Sequence, residues 1–271
     1  MRTRAITRPI SAVASLLLLA GCATGPATGN APAGRWVDLT HAFSVETLYW
    51  PIAEPFKLEK EFAGTTPKGY HYSANRYSAS EHGGTHMYAP IHFAEQGATV
   101  DQITVDQLIG PAIVVDVSGK ALANRDYLVS VADFAAWEKA NGAIPAEAIV
   151  LLRTGYDRYW PDAQKYLGTG ERGAEAVAKL HFPGLAPDAA RWLVEQRRTK
   201  AVGLDTASID YGQSSLFESH RSLAAKHVVI FENVAGLGEL PPTGSSVMAL
   251  PMKIGGGSGA PLRIVAFIPK R

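Results

Sequence analysis

Three histidines lie within eleven consecutive residues of the sequence, at His82, His86 and His92. Gly83-Gly84 interrupts this segment and makes a helix unfavourable there. In an extended chain alternate side chains share one face, so the three histidines and Tyr88 are expected on the same side. Imidazoles on one face, beside glycines that permit close backbone approach, are typical of a transition-metal site. A single buried histidine is often structural, and the convergence of three favours the metal site.

Two residues far along the chain are candidates for the other half of this site. Glu232 directly follows the apolar residues 228–231, which predict a strand, and a carboxylate there is costly to bury unless it meets a cation. His220 lies in residues 215–225, where a helix is predicted. His227 begins the predicted strand and is assigned to packing or capping.

Motifs of other hydrolases and of nucleotide-binding proteins are absent from the sequence. Because Gly83 follows His82, there is no H-E-x-x-H metalloprotease motif, and no G-x-S-x-G serine elbow occurs. The glycine-rich residues 255–259 lack the Lys-Ser/Thr ending of a phosphate-binding loop. They predict a tight loop between two strands instead.

The elements that must position these residues alternate between strands and helices. One helix opens with a capping box at Ser130 and can close at Gly142, and another starts at Pro187. This alternation predicts an α/β fold. No Pro/Ser-rich linker follows Gly34, so a single domain over residues 35–271 is expected. Strands are predicted at residues 36–39, 112–117, 148–152, 201–204, 228–231, 247–253 and 262–268.

The composition excludes several classes of protein. The chain has 271 residues with 26 Lys and Arg against 25 Asp and Glu, so it lacks the basic excess of a nucleic-acid-binding protein. A hydrophobic content of 46% and a charged content of 19% indicate a globular chain with a full core. A single cysteine excludes an intramolecular disulfide and a cysteine-rich zinc finger.

The first 34 residues are expected to lie outside the domain. Residues 1–21 combine three arginines with an apolar run too short to span a bilayer, which predicts a signal peptide. Leu19-Ala20-Gly21-Cys22 resembles a bacterial lipoprotein box, and a plain secretory signal is the alternative. Residues 22–34, rich in Gly, Pro, Ala and Thr, predict a flexible tether. A periplasmic protein anchored to the membrane by a lipid on Cys22 is therefore expected, and Ala23 favours the outer membrane.

The histidine segment also resembles the signature of a known family. His82-x-Gly84-Thr85-His86-x-Tyr88-x-Pro90-x-His92-Phe93 is similar to H-x-G-T-H-x-D-x-P-x-H-F of the metal-dependent cyclase family, which includes kynurenine formamidase-like and isatin hydrolase-like proteins. The resemblance covers roughly residues 36–268. Further family blocks follow in family order: Asp38-Leu39-Thr40-His41, Leu152-Arg153-Thr154-Gly155, Phe182-Pro183-Gly184-Leu185, Gly203-Leu204-Asp205-Thr206-Ala207-Ser208-Ile209-Asp210, His220 to Glu232, Leu240-Pro241 and Gly257-Ser258-Gly259-Ala260-Pro261-Leu262-Arg263.

The resemblance implies a fold, a metal and a set of roles. The fold implied is the α/β swivelling β/β/α domain of the cyclase family, and the metal is Zn²⁺ or Mn²⁺. Members form dimers or larger oligomers. His82, His86, His220 and Glu232 match metal ligands, and His92 matches a histidine that carries out acid/base work on the substrate.

One position departs from the family signature. Tyr88 stands where the family carries an Asp ligand, and a phenol is neutral until about pH 10. Three interpretations follow: a site for a single metal, a Tyr88 phenolate ligand, or a protein without activity. His82, His86, His220 and Glu232 still provide enough ligands for one metal.

The predicted function is hydrolysis of a small amide, formamide or cyclic amide by a metal-activated water. Glu232 would orient or deprotonate the water, and His92 would protonate the departing nitrogen. Trp50, Tyr70 and Tyr156 are candidates for stacking on a flat substrate. The alternative is a non-catalytic periplasmic lipoprotein that binds a metal or ligand, which the missing Asp favours and the presence of His92 opposes.

Overall fold

Continuous apolar runs form the central strands of the structure, a computed structural model that describes residues 33–270. In residues 149–152, Ile149 and Leu151 pack into one hydrophobic core, whereas Val150 and Leu152 pack into a second core on the opposite face. Side chains alternate between the two faces of a strand, and here both faces are buried. The run is therefore apolar throughout instead of alternating with polar residues.

The strands form one large sheet and two small ones. The large sheet has the order β1-β12-β11-β5-β7-β9-β10-β4, while β2 pairs with β3 and β6 pairs with β8. The described strands are β1 Gly34–Asp38, β2 Lys57–Thr65, β3 His71–Ser78, β4 His86–Tyr88, β5 Ile109–Asp116, β6 Leu128–Val129, β7 Ile149–Arg153, β8 Gly184–Leu185, β9 Ala201–Leu204, β10 Val229–Glu232, β11 Ser245–Pro251 and β12 Gly259–Pro269.

The large sheet closes on itself. Strand β4 pairs antiparallel with β10 on one side and with the first residues of β12 on the other. Strands β5, β7, β9 and β10 run parallel to one another, which requires crossover connections. The sheet is therefore a barrel-like wall with one core inside and a second core between the wall and the helices.

The helices supply those crossovers. Helix α3 begins after the capping box of Ser130 and Asp133 and ends at Gly142, whose φ of 89° ordinary residues avoid. Helix α6 begins with Pro187 at its first turn, as predicted. The described helices are α1 Val105–Leu108, α2 Ser118–Ala123, α3 Val131–Asn141, α4 Ala163–Tyr166, α5 Ala174–Val177, α6 Pro187–Arg197 and α7 Glu218–Ala224.

The predicted α/β fold is confirmed, with three local differences. The helix expected over residues 215–225 is shorter, because α7 begins only after Phe217. The histidine segment is not extended throughout, since Pro90–His92 forms a 3₁₀ turn. The hairpin of β2 and β3 is absent from the predictions because its side chains do not alternate between a buried and an exposed face. The loop predicted at residues 255–259 does connect β11 to β12, except that its last residue, Gly259, already belongs to β12.

No helix among residues 33–270 is long and apolar enough to cross a membrane. The signal peptide and nearly all of the tether predicted for residues 1–34 lie outside the described residues.

Candidate active site

The candidate site forms where the end of β10 meets β4. Glu232 is the last residue of β10, and the antiparallel register places it directly opposite His86 in β4. Both side chains are buried, with Glu232 0% and His86 2% exposed. The site therefore lies at the carboxyl ends of the parallel strands, where α/β sheets usually bind their ligands.

His220 reaches the same point from helix α7. Its Nδ1–H donates to Asp210 Oδ2 over 2.7 Å, while the backbone N–H groups of Ser219 and His220 also donate to the Asp210 carboxylate. Asp210 thus caps the first turn of α7 and fixes the imidazole orientation at once. The sequence analysis assigns no role to Asp210, although this residue ends the family block at residues 203–210.

Three atoms that could bind a metal ion, two imidazole nitrogens and a carboxylate oxygen, face one another in this buried space. His220 Nε2 lies 3.1 Å from Glu232 Oε1, and His86 Nε2 lies 3.5 Å from Glu232 Oε2. All three atoms (the two Nε2 atoms and Oε2) are buried, and none of them makes a well-aligned hydrogen bond within the described residues. Buried polar atoms are normally paired, because each unpaired one costs about 1–3 kcal/mol. Three such atoms in contact indicate that a bound group completes the site.

The chemistry of these donors fits a divalent metal ion. His86 Nδ1–H donates to Gly84 O over 2.9 Å and His220 Nδ1–H donates to Asp210, so both histidines present an Nε2 toward Glu232. Metal-binding histidines are usually held in this way. Two imidazoles and one carboxylate are also a ligand set of catalytic zinc, and ligands about 2.1 Å from a tetrahedral ion lie about 3.4 Å apart. Within residues 33–270, however, no group of three or more His, Cys, Asp or Glu side chains is already arranged to hold a metal ion.

The electrostatics of the site also favour a cation. Burial favours the neutral form of His220, but the Asp210 and Glu232 carboxylates outweigh it and raise its pKa to about 9. Burial lowers the pKa of His86 despite the nearby Glu232. The protonated form of His220 is therefore favoured at pH 7, with Nδ1 facing Asp210 and Nε2 facing Glu232; the proton on Nε2 is the one that a cation could displace. A metal ion bound at Nε2 would replace that proton.

Tyr88 occupies the centre of the histidine cluster. Its ring centre lies 4.2 Å from that of His82, 4.7 Å from that of His92 and 4.9 Å from those of His86 and His220. Burial, followed by the charge of Glu232, raises the pKa of Tyr88 well above its usual value. With these neighbours the phenol is neutral, so the side chain supplies volume and a hydroxyl but no negative charge.

His82 is near the other predicted ligands but makes its polar contact elsewhere. Its Nε2 is 2.9 Å from Ser258 Oγ, whose hydroxyl donates to Glu81 Oε2 over 2.7 Å. The Nδ1 atom is buried without a hydrogen-bond partner among the described residues. Burial, followed by three nearby histidines, lowers the pKa of His82 to about 2. The structure thus places His82 beside Tyr88 and His92, whereas His86 and His220 are the histidines that contact Glu232.

His92 stands beside an aromatic wall. Its ring centre is 4.1 Å from that of His82 and 4.6 Å from that of Phe93, and burial lowers its pKa to about 4. Phe93 is 5.6 Å from Phe217, which in turn is 6.5 Å from Trp50. The prediction for Trp50 is consistent with this position, whereas Phe93 and Phe217 were missed because they come together only in the fold.

The other two aromatic candidates are not part of this wall. Tyr70 lies at the turn of the β2–β3 hairpin and is 55% exposed. Tyr156 is buried in a cluster with Tyr166 and Phe182, against which Trp50 packs from the side of the wall. His227, assigned to packing or capping, is exposed, with a φ of 58° just before β10.

The free space at the site is small. A cavity of about 30 Å³ is lined by Trp50, His82, His86, Tyr88 and Asn233 among others. This volume holds about two water molecules, so the space must widen before a substrate can enter. A larger groove of about 410 Å³ lies beside Asp116, Lys120 and Asp133. Its carboxylates already accept hydrogen bonds from lysine or arginine, so it lacks the unpaired donors found here.

The sequence matches a known family and its members. Residues 37–211 match the family model described as putative cyclase. The isatin hydrolase of Roseibium aggregatum is 30% identical over 241 residues, which cover 81% of this chain and 89% of that protein. The kynurenine formamidase of Salinibacter ruber is 28% identical over 236 residues, which cover 84% and 95% of the two chains.

The fold is also similar to that of a solved structure. Isatin hydrolase A from Ralstonia solanacearum superimposes with a TM-score of 0.78 and 34% sequence identity, covering 86% of this chain and 92% of that chain. The similarity therefore extends over most of both chains.

Proposed function

The chain belongs to the cyclase family, and we propose that it hydrolyses the C–N bond of a small amide, formamide or cyclic amide with the help of one divalent metal ion. His86, His220 and Glu232 would hold this ion, which is Zn²⁺ or Mn²⁺. The observation that carries the proposal is the meeting of three buried atoms that make no well-aligned hydrogen bond within the described residues, while the Nδ1–H groups of both histidines are already fixed.

The relatives favour catalysis over simple binding. The similar proteins named above are a hydrolase of isatin and a formamidase of kynurenine, so they do not support a non-catalytic lipoprotein. Tyr88 removes one carboxylate from the family signature, but His86, His220 and Glu232 remain in contact. A site for a single metal is the interpretation that fits these contacts.

Glu232 and His92 supply the protein part of the mechanism. When bound, the metal lowers the pKa of a coordinated water from about 15.7 toward 7 and polarises the carbonyl under attack. Glu232 Oε1 accepts the Ile209 N–H over 2.7 Å, which fixes the carboxylate and leaves Oε2 facing the site. His92 is neutral at pH 7 because burial lowers its pKa to about 4. It can therefore take a proton from the attacking water before it donates one to the departing nitrogen.

The aromatic wall supplies binding energy for a flat substrate. The three rings of the wall form a row in which Trp50 is next to Phe217 and Phe217 is next to Phe93. Phe93 in turn is next to His92 and His220. Phe217 has a φ of 49°, which is unfavourable for a bulky residue and is typical of functional sites. An aryl amide or a cyclic amide fused to an aromatic ring has the shape to stack against this wall.

The test is metal analysis of the purified full-length chain, followed by a hydrolysis screen of N-formyl arylamines, lactams and cyclic imides. We expect about one Zn²⁺ or Mn²⁺ per chain and hydrolysis of at least one of these substrates. Glu232→Gln should weaken metal binding at least about 100-fold and abolish hydrolysis, because it removes the only charged ligand. Glu239→Gln, at an exposed glutamate, is the matched control and should change neither property.

Retention of the metal and of activity by Glu232→Gln would show that this site does not carry the reaction. A metal-loaded chain that hydrolyses no member of the three substrate classes would leave the site assigned and the proposed substrate class wrong.

We also propose that the mature protein is tethered to the bacterial outer membrane by a lipid on Cys22 and faces the periplasm. The support is the lipoprotein box and the position of the only cysteine of the chain. Mass spectrometry of the N-terminus should find a lipid on Cys22 of the wild type and no lipid on the Cys22→Ser variant. An unmodified N-terminus that begins elsewhere would reject the tether.

A further inference from the structure

Asn233 connects the strand that carries Glu232 to the segment that carries His86. It directly follows Glu232, is 3% exposed and has a φ of 54°. Asparagine tolerates this left-handed conformation better than most residues, and its side chain can therefore turn away from the strand. The Nδ2–H of Asn233 donates to the backbone oxygen of Gly84 over 2.7 Å.

The Gly84 oxygen is also the acceptor for His86. It receives the His86 Nδ1–H over 2.9 Å, so Asn233 and His86 donate to one and the same carbonyl group. Gly84 itself has a φ of 57°, and an added Cβ would lie 2.7 Å from the Phe43 ring. The direction of this carbonyl is thus set by a backbone that only glycine adopts easily there.

The orientation of the Asn233 amide is fixed from its other side. The buried Tyr166 hydroxyl donates to Asn233 Oδ1 over 2.9 Å, which assigns Nδ2 to the Gly84 carbonyl. The Thr85 hydroxyl donates to Asn233 O over 2.6 Å, and Asn233 N–H donates to Thr206 O over 2.9 Å. The amide therefore has little freedom to rotate.

We infer that Asn233 is a positioning residue: by holding the Gly84 carbonyl, it keeps the proton of His86 on Nδ1 and the unprotonated Nε2 directed at Glu232. This inference rests on the proposed function, because it gives His86 the tautomer that a metal ligand at Nε2 needs. Asn233 also lines the small cavity at the site, but its side-chain amide bonds to Gly84 and Tyr166, so the role inferred here is exerted through Gly84 and His86.

Two variants of Asn233 test the inference. Asn233→Asp keeps the shape but places a carboxylate oxygen against the Gly84 oxygen, and Asn233→Gly removes the side chain at a φ that glycine adopts freely. We expect both to weaken Zn²⁺ binding about 10–100-fold in competition with a chromophoric chelator. Arg198→Gly, at a φ of 50° after helix α6, is the control and should bind Zn²⁺ like the wild type.

A second measurement needs no metal. Nitrogen-15 NMR of the metal-free, full-length chain should show His86 as the Nδ1–H tautomer in the wild type and as a mixture in Asn233→Gly. A purely structural role would lower the melting temperature without moving this signal. An unchanged tautomer in both variants would overturn the inference, even if the proposed function holds. If the tautomer shifts but the wild type binds no Zn²⁺, the positioning role stands and the proposed function fails.

Discussion

Tyr88 is the residue at which this chain departs from the signature it otherwise follows. Its ring contacts all four histidines of the cluster and lies where a smaller acidic side chain would leave space. The phenol is larger than a carboxylate and carries no charge here, because burial and the charge of Glu232 raise its pKa. It therefore limits both the number of anionic ligands and the room beside them.

Replacing Tyr88 with aspartate should strengthen metal binding. The Tyr88→Asp variant adds an anionic oxygen beside His86 and His220 and removes the ring between them, so we expect at least about tenfold tighter Zn²⁺ binding and a higher metal content per chain. Metal analysis and chelator competition measure both quantities. Tyr88→Phe, which keeps the ring and removes only the hydroxyl, is the matched control and should retain the wild-type metal content.

The opposite result is equally informative about Tyr88. If Tyr88→Asp gains no metal, the position does not weaken the metal site and the pocket has been adapted to another purpose. If Tyr88→Phe loses metal, the phenol oxygen is itself a ligand.

Single residues of the site differ in how far the sequence predicts them. Glu232 could be identified because an ionisable group after an apolar strand needs a partner, and the structure places it against His86 and His220. Asp210 and Asn233 could not, since their roles depend on hydrogen bonds between segments that only the fold brings together. The ligand roles of His82, His86, His220 and Glu232 stay predictions until a metal is measured.

At the scale of elements, the start of helix α3 carries an unusually well-bonded carboxylate. Asp133 accepts hydrogen bonds from Lys120, from the Tyr127 hydroxyl and from both the N–H and the hydroxyl of Ser130. Burial opposes its ionisation, but these hydrogen bonds outweigh burial and lower its pKa. The same contacts close the capping box predicted from the sequence.

Asp133→Asn should lower the free energy of unfolding by about 1–3 kcal/mol at pH 7, because the amide cannot accept all four hydrogen bonds. Since folding lowers the pKa of Asp133, its carboxylate stabilises the fold above the unfolded pKa near 3.8, and this contribution is lost as pH falls through the folded pKa. Urea denaturation at pH 7 and pH 3 should therefore show a difference between variant and wild type that shrinks in acid.

Glu95→Gln, at an exposed residue, is the control and should stay within about 0.5 kcal/mol of the wild type. A difference between Asp133→Asn and the wild type that persists undiminished at pH 3 would contradict the role given to the ionised carboxylate.

Strands and helices that bury apolar side chains at regular positions were predictable from the sequence, whereas the β2–β3 hairpin was not. The apolar runs of β7 and β9 fill two cores, so their hydrophobicity alone marks them as strands. Nearly every residue of β2 and β3 is exposed, so no alternation distinguishes a buried face from a solvent face. Propensity alone leaves such a segment ambiguous.

At the scale of the whole molecule, this hairpin leads us to propose that two copies of the chain associate. An isolated two-stranded hairpin is marginally stable, and this one leaves Leu58, Phe62 and Tyr72 between 40% and 57% exposed. The charged residues of β2 are of both signs, two lysines and two glutamates, so the ribbon does not carry a single-sign charge. Dimers or larger oligomers are also what the family resemblance implies.

Substituting both Phe62 and Tyr72 with lysine should disrupt this association. The ring centres of these two residues lie 5.8 Å apart. Light scattering after size exclusion should give the mass of two chains for the wild type and of one chain for Phe62→Lys with Tyr72→Lys. Val105→Lys, at a residue that is 60% exposed on α1, is the control and should remain a dimer. A monomeric wild type, or a double variant that stays dimeric, would rule out the hairpin as the interface.

The closure of the sheet through β4 has a consequence for the order of folding events. His86 meets Glu232 across β10 and Pro261 across β12, so three residues of β4 join parts of the chain that are far apart in sequence. Contacts between distant segments are slow to form, because the chain must first lose the entropy of the intervening loops. The donors of the site are therefore assembled only when the wall closes. A metal ion should therefore bind only after the barrel has formed. Its addition should leave the refolding rate unchanged.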